Sequence, residues 1–424
     1  MSPTRATLCL VTPHHLANNP RVVKEACALY EAGYPVTVVA GRHDPRLDPV
    51  DLELASRHRW TLVRVDLTRR AATLAPELMH RSARFLIRIR PGLATAPGLA
   101  ALAHHRASRA LAATAHRCAA DLYIGHTAAG LAAAGVAALR RAARLGFDAE
   151  DFHPEETREV IEDPVLRATL ATIERRWLPR CAHLTAASPL IARAYADAYG
   201  IDLPTTVLNV FPRREAPAAP RARPPGYVGR RLYWYSQTIG PGRGLEPLLS
   251  LLGQGGYIGT VALRGRPVEG YLDHLRAHAR AAGFTGEIEA LPLAAPHQLV
   301  TLALDHSVGL ALEERTPRNR DLCLTNKLFT YLLAGLPVVL SRTRAQEAIA
   351  AECGDAAHLL DATPGPESAA RLVAWLLDPA GQVRARARAW ELGQQRFCWE
   401  VEQHALLAAV QAALRRPGTE MKQP

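Results

Sequence analysis

The chain has 424 residues, 48% of them hydrophobic and 21% charged, enough for a substantial core and about two domains. Its seven cysteines show no CxxC pair or other ligand spacing, no run of about 18 apolar residues occurs, and no basic-then-apolar leader opens the sequence; a disulfide framework, a bound metal, a membrane span and a secretion signal are therefore not expected, and a cytoplasmic protein is. The formal net charge of +11 asks for an anionic partner, and with 6% aromatic residues and no helix-turn-helix, zinc-finger or RNA-binding signature, lipid is preferred to nucleic acid.

Residues 7–12 read as the first buried strand of a parallel sheet. Asn19 then caps a helix that starts at Pro20 and stops at Gly33, with Val22, Val23, Ala26, Leu29 and Tyr30 as its apolar stripe, and 36–40 is the next strand. Ligands of such β–loop–α–β units gather at the carboxyl ends of the strands, which puts the loop 13–19, with His14, His15 and Asn18, in reach of substrate. A plain polar surface loop fits the same residues.

Residues 76–90 predict a helix on which Arg81, Arg84 and Arg88 share one stripe and Leu78, Phe85, Leu86 and Ile89 the adjoining arc. This is the pattern of a basic amphipathic helix lying on an anionic membrane surface, and also of an ordinary surface helix. Arg106, Arg109 and Arg117 extend the basic region. Strand 122–125 leads into His126, and strand 145–148 leads into His153, which carboxylates at 150, 151, 155 and 156 flank. Histidines past strand ends suit acid–base chemistry, with a structural role as the alternative. Strands at 184–187 and 206–208 complete this half, and the Pro- and Arg-rich residues 209–226 read as a linker.

The second half repeats the alternation, with strands at 232–236, 260–263, 288–291, 308–312, 338–340 and 358–360. The first runs into QTIGPGRGLE at 237–246, a glycine-rich turn with Arg243 at the head of a helix and a form suited to cradling phosphate. Thr325 caps a later short helix that carries Asn326 and Lys327 in its first turn and Leu328, Phe329, Leu332 and Leu333 on its apolar face. The free N–H groups and dipole there favour an anion. Lys327 is one of three lysines, with Lys24 and Lys422, in a chain whose other basic charge is arginine. An ordinary helix–strand unit also fits this segment. A long helical pattern, 383–414, ends the chain.

Two such halves predict an α/β protein of two Rossmann-like doubly wound domains, at 1–208 and 227–382, joined by the linker 209–226 and followed by a C-terminal helix and tail, 383–424. The motifs carry a resemblance. TPHH at 12–15 with NNPRV and KEA resembles the opening of the group 1, or family 4, retaining glycosyltransferases. DAEDFH at 148–153 is similar to their acceptor-side histidine segment, AAS at 186–188 with Asn209 to their late N-domain pattern, and TNK with YLLAGLPVV to their donor signature. The resemblance spans about residues 7–402. It implies the GT-B fold, with two domains facing a cleft and a C-terminal helix packing back toward the N-domain. It also implies a metal-independent, retaining transfer from a nucleotide-sugar donor to a glycan, lipid-linked or polysaccharide acceptor, without a cofactor. By it, His153, Arg243 and Lys327 are catalytic; Gln237, Gly242, Glu314, Asn326 and Thr330 bind the donor; and His14, His15, Asn18 and His126 lie on the acceptor side.

Two positions depart from the family pattern. Gln237 stands where a basic residue is usual, and Thr330 where a glutamate typically holds the donor ribose. A carboxylate accepts both ribose hydroxyls and a threonine hydroxyl does so less well, which makes Glu313 or Glu314 the expected substitute. The departures favour a contrasting class, a non-catalytic nucleotide-sugar binder or a scaffold of a glycan pathway. A nucleotide-sugar epimerase on the same architecture is a more distant reading.

Overall fold

Each half of the chain builds its own all-parallel sheet. The structure, a computed structural model, describes residues 5–68, 70–219 and 229–416. One compact unit runs to Val207 and takes up the chain again from Gln403, while the other spans Leu208–Glu402. The expected linker lies partly outside the described residues, from 220 onward; its described part contains a short 3-10 turn, Arg213–Glu215.

The first sheet consists of β1 (Leu8–Thr12), β2 (Val36–Arg42), β3 (Thr61–Asp66), β4 (Leu122–His126), β5 (Arg144–Ala149), β6 (Cys181–Ala186) and β7 (Thr205–Thr206). Their spatial order is β3-β2-β1-β4-β5-β6-β7. Every residue of β1 and β4 is buried, as apolar runs at the centre of a sheet covered on both faces require. The helix Pro20–Glu31 forms as expected: the Asn19 side chain accepts from the Val22 N–H, and Gly33 takes φ +87° after the helix ends. The helix Thr127–Arg141 lies so close to β1 that a Cβ on Gly130 would stand 2.4 Å from the Val11 carbonyl oxygen, so only glycine fits there. Strand β3 was not expected from the sequence. Its TLVRVD mixes polar with apolar residues, and as an edge strand it is only partly covered.

The second sheet holds β8 (Arg231–Ile239), β9 (Thr260–Pro267), β10 (Glu287–Leu291), β11 (Val308–Ala311), β12 (Val338–Leu340) and β13 (Ala357–Leu359), in the order β10-β9-β8-β11-β12-β13. Trp234, Leu248, Leu252, Leu263, Leu310, Val339 and Leu372 form the centre of its core. The helix Asn326–Leu333 forms where expected and Gly335 follows it at φ +68°, but the Thr325 hydroxyl makes no capping bond. The single terminal helix expected at 383–414 is instead two helices, Pro379–Gln395 and Trp399–Arg415. The break has a packing cause: Phe397 is fully buried with its ring 5.5 Å from that of Phe329, and the Trp399 N–H donates to the Phe211 carbonyl at 3.0 Å. Burying that phenyl ring stabilises by about 1.5–3 kcal/mol, enough to offset the one or two helical bonds, each worth about 1 kcal/mol, that the break forgoes.

Both sheets reverse strand order at the same place, between β1 and β4 in the first and between β8 and β11 in the second. The carboxyl ends at these switch points are where doubly wound sheets bind ligands. Among the described residues no helix is long and apolar enough to cross a membrane.

Candidate functional site

On the first sheet the carboxyl ends of β1, β4 and β5 gather a buried ion network. Arg21, in the first turn of helix Pro20–Glu31, grips Asp148 through Nε at 2.5 Å and Nη2 at 2.8 Å, and its Nη1 donates to the Val207 carbonyl at 2.7 Å. The Thr185 hydroxyl donates to Asp148 at 2.5 Å. Burial opposes ionisation of Asp148, yet Arg21 holds its pKa well below the carboxylate range. His126 is wholly buried, with Nδ1 2.8 Å from Glu150 Oε1 and Nε2 2.8 Å from Glu25 Oε2, the latter an ion contact rather than a directed hydrogen bond. Burial disfavours its charge, but Glu25, Glu150 and Asp148 outweigh it and push the imidazole to about 10, so His126 is an imidazolium at neutral pH. Asn19 adds a bond from Nδ2 to Glu150 Oε1 at 2.9 Å.

Glu25, His126 and Asp148 bring potential ligand atoms within 4.8 Å of one another. An imidazolium has no lone pair to give a metal, and Asp148 already serves Arg21 and Thr185. The donor set fits a network of ion pairs and hydrogen bonds better than a metal centre.

His15 is also buried. Its Nε2 accepts from the His43 and Asp44 backbone N–H groups at 2.9 and 3.0 Å, so the proton sits on Nδ1, which donates to Asp51 at 2.6 Å. Asp51 also accepts from the Ala17 N–H at 2.9 Å, and the histidine thereby pins the loop 13–19. His14 and Asn18 stand exposed on that loop. Partial loss of hydration lowers the His14 pKa, with Glu150 counteracting and His153 and His15 adding to the depression, which marks these groups as neighbours.

His153 lies just past β5 and keeps one ring nitrogen to spare. Tyr195 and Tyr199 both donate to the fully buried Glu174, the former at 2.9 Å. With its hydrogen committed, the Tyr195 oxygen accepts from the His153 backbone N–H at 3.2 Å and from His153 Nδ1 at 2.7 Å. The chain Glu174–Tyr195–His153 thus fixes the Nδ1–H tautomer and leaves Nε2 as a lone-pair acceptor that bonds to no described residue. Close by, burial and the charges of Asp151 and Glu150 push Glu156 up to about 8, so it is largely a neutral carboxyl at pH 7.

On the second sheet the rim is basic. After β8 the turn 240–244 needs glycine twice, with Gly242 and Gly244 both at φ +72°, and Gly244 is the N-cap of the helix Leu245–Gln254. Arg320 Nη1 donates to the Gly242 carbonyl at 2.8 Å and lies 3.5 Å from Glu313 Oε2. Lys327 Nζ, 6.0 Å over the Trp234 ring, donates to Glu313 Oε1 at 2.6 Å. The Glu313 N–H in turn donates to the Ser341 hydroxyl at 2.9 Å, tying the end of β11 to the end of β12. Arg243 is half-buried: burial and Arg320 lower its pKa, while Glu313 and Glu314 counteract. Lys327 and Arg320 therefore meet on Glu313, with Arg243 within electrostatic reach of the same carboxylate, beside the heads of two helices where unpaired N–H groups and the dipoles add positive potential. The Thr325 hydroxyl, at the head of one of them, is left without a hydrogen bond.

The other expected donor residues have different surroundings. Gln237 is exposed on β8, and Asn326 and Glu314 are half-buried at the rim, with a Glu314 oxygen 3.7 Å from where a Cβ on Gly242 would sit. Thr330 is wholly buried, its hydroxyl 2.7 Å from that of Tyr235. Sequence reasoning passed over Arg21, Glu25, Glu174, Tyr195 and Arg320. Arg21 and Glu25 carried a signal, being polar residues at i and i+4 beside a helix's buried stripe; the others had no local one.

Two doubly wound parallel sheets of this strand order, each with polar groups at its carboxyl rim, define the two-domain α/β architecture called GT-B. Solved structures of this architecture match the chain nearly end to end. One is HepE from Anabaena in complex with UDP and glucose, at TM-score 0.67 and 14% identity over 96% of this chain and 100% of that one. A second is sucrose-phosphate synthase from Thermosynechococcus elongatus, at TM-score 0.66 and 13% identity over 96% and 98%. A third, at TM-score 0.51 and 12% identity over 97% of each chain, is a Listeria monocytogenes protein assigned as a UDP-N-acetylglucosamine 2-epimerase. At such identities the likeness is one of fold. No protein-family model and no curated protein matches the sequence.

Proposed function

We propose that the protein is a glycosyltransferase that moves a sugar from a nucleotide-sugar donor to a glycan, lipid-linked or polysaccharide acceptor, with retention and without metal or cofactor. The observation that carries this reading is the meeting of Lys327 and Arg320 on Glu313 at the switch point of the second sheet, with Arg243 on the glycine turn that Arg320 also bonds. Cleaving a sugar–diphosphate bond builds negative charge on the leaving group, and fixed cations with helix N–H groups stabilise it without reorganising. Gln237, Gly242, Glu314 and Asn326 complete the donor side in this reading, while Thr330, buried with its hydroxyl on that of Tyr235, supports the site from beneath. On the first unit, in this reading, His153 offers Nε2 to a hydroxyl, His14 and Asn18 serve the acceptor from the loop 13–19, and His15 and His126 hold the rim in shape. The HepE structure holds UDP and glucose, which supports a nucleotide-sugar site on this fold. The reading includes a cytoplasmic protein bound peripherally to the inner face of a membrane, where lipid-linked acceptors reside.

A screen of UDP-, GDP- and ADP-sugars for binding, for donor hydrolysis and for transfer tests the proposal. Transfer or hydrolysis of one donor, reduced by about one to two decades in Arg243→Ala, is expected; failure of every donor to bind overturns it. Binding without turnover assigns the chain to the second reading, a non-catalytic nucleotide-sugar binder, which Gln237 and the closed Lys327–Glu313 pair favour. Interconversion of the donor sugar without any acceptor would instead indicate an epimerase, a reaction compatible with the same fold.

A further inference from the structure

The helix Arg70–Ile89 is built inside out for a globular protein. Its inward side is made of small and sparse contacts: Ala83 and Ile87 are buried at 3% and 2%, in a minor cluster with Ala94, Ala103 and Val165. Its bulky residues face water. Leu74, Leu78, Phe85, Leu86 and Ile89 are 67%, 67%, 62%, 46% and 61% exposed, and Leu93 follows at 36%. Fourteen large hydrophobic side chains are exposed among the described residues, and five of them share this one helix, a concentration that a soluble surface does not keep without a use. On a helical wheel the five span one continuous arc of about 120°, the width of a face that beds into another phase.

The rim of that arc is basic. Arg81 is 75% exposed in its side chain, with Nε donating to Glu77 at 2.7 Å and the rest of the guanidinium facing water, and Arg88 and Arg90 are exposed, while Arg84 is drawn inward onto Asp163. Glu77 is the single acid between residues 67 and 120, a stretch that holds nine arginines. The helix is about 30 Å long, so the arc and its rim form an extended strip. Such a strip is complementary to an anionic lipid surface. Apolar residues enter the boundary between headgroups and acyl chains while arginines meet phosphates. A second copy of the chain is a poorer fit, since it carries the same +11 charge and the same arginine rim.

We propose that Leu74, Leu78, Phe85, Leu86, Ile89 and Leu93 insert into the surface of an anionic membrane, with Arg81, Arg88 and Arg90 at its phosphates. This deepens the peripheral part of the reading above and is independent of the sugar chemistry. It also assigns the roles differently from the basic stripe of the sequence. Apolar insertion provides the salt-resistant part of binding, Arg81 and Arg88 the salt-sensitive part, and Arg84 none.

The test is flotation of the full chain with vesicles of phosphatidylcholine alone and of phosphatidylcholine with phosphatidylglycerol, at low and high salt. Light scattering and nucleotide binding are measured in parallel on the same protein. Binding to the anionic vesicles is expected, falling about fivefold for each of Arg81→Gln and Arg88→Gln at low salt and unchanged in an Arg84→Gln variant that stays folded. Leu78→Ser combined with Phe85→Ser should lower binding tenfold or more at either salt, with the unfolding midpoint kept because both side chains already face water. No binding to anionic vesicles overturns the proposal, as does a wild-type dimer that the serine variants dissociate, which would assign the face to a second copy. Nucleotide binding retained in either case leaves the donor-site reading standing, and its loss with vesicle binding intact defeats that reading alone.

Discussion

The Lys327 ammonium lies 2.6 Å from a carboxylate oxygen of Glu313, and both side chains are almost wholly buried. The lysine expected from the sequence to meet phosphate is thus already neutralised by an acid from the neighbouring strand end, with Arg320 on that acid's other oxygen at 3.5 Å. The pair holds the ammonium in one position and, under the proposed function, sets the net charge that a donor diphosphate would meet. Arg243, half-buried and near the same carboxylates, is the cation whose removal strands no buried partner.

Arg243→Ala and Lys327→Ala should therefore differ. Each should reduce donor turnover by one to two decades, the loss of a charge-assisted contact worth about 1.5–3 kcal/mol. Only Lys327→Ala should also destabilise the fold, by about 3–5 kcal/mol, because Glu313 stays buried with its closest counter-charge gone. Thermal unfolding and kcat/KM measured on both variants check this; an unchanged Tm in Lys327→Ala would contradict the buried pair.

Tyr195→Phe should weaken catalysis without touching the donor. It removes the acceptor of His153 Nδ1–H, so the imidazole loses its fixed tautomer, and it takes one donor from the buried Glu174. The expected result is a fall in kcat of about tenfold or more with KM for the donor kept, and stability lower by about 1–3 kcal/mol. Nitrogen-15 shifts of His153 should report protonation at Nδ1 in the wild type and a mixture of tautomers in the variant; the same tautomer in both would refute the relay.

The imidazolium of His126 predicts an alkaline instability. Its folded pKa, about 10, stands above the ordinary histidine value, so its stabilising contribution is complete below about pH 6.5 and is lost progressively as pH rises to about 10. The urea midpoint should fall across that window, by up to about 1.4 kcal/mol of stability per pH unit for a single fully linked proton. In His126→Gln the slope should flatten, at the cost of a lower plateau near neutrality. An equal slope in both proteins would place the titration elsewhere.

Thr330→Val tests the departure at the position where a ribose-binding carboxylate is usual. The threonine hydroxyl is buried against that of Tyr235, and valine keeps the volume while leaving the tyrosine without its partner. Stability should fall by about 1–3 kcal/mol with nucleotide affinity unchanged. A loss of affinity at constant stability would instead give the hydroxyl to the donor.

The sequence alone determined the alternation. Short apolar runs bounded by glycine and proline marked β1, β2, β4, β5, β8, β9, β11 and β12 to within a few residues, and Asn19, Gly33 and Gly335 set helix ends by local chemistry that needs no distant partner. The polar turns that follow the strands were legible too, because a doubly wound sheet carries its ligand-facing loops after strand ends. Strand β3 was not, since an edge strand needs no continuous apolar run, nor was the break before Trp399, which the burial of Phe397 imposes. Only the tertiary structure decided which acid meets which base. Arg21 finds Asp148 across 127 residues and Lys327 finds Glu313 from the neighbouring element, pairings set by strand order and by depth of burial. The same holds for the histidines, alike in sequence as polar residues past strand ends. Burial and partners divide them into a pin at His15, an imidazolium at His126 and a ring oriented by Tyr195 at His153, because burial, hydrogen-bond partners and neighbouring charge, rather than residue type, decide what each ring does.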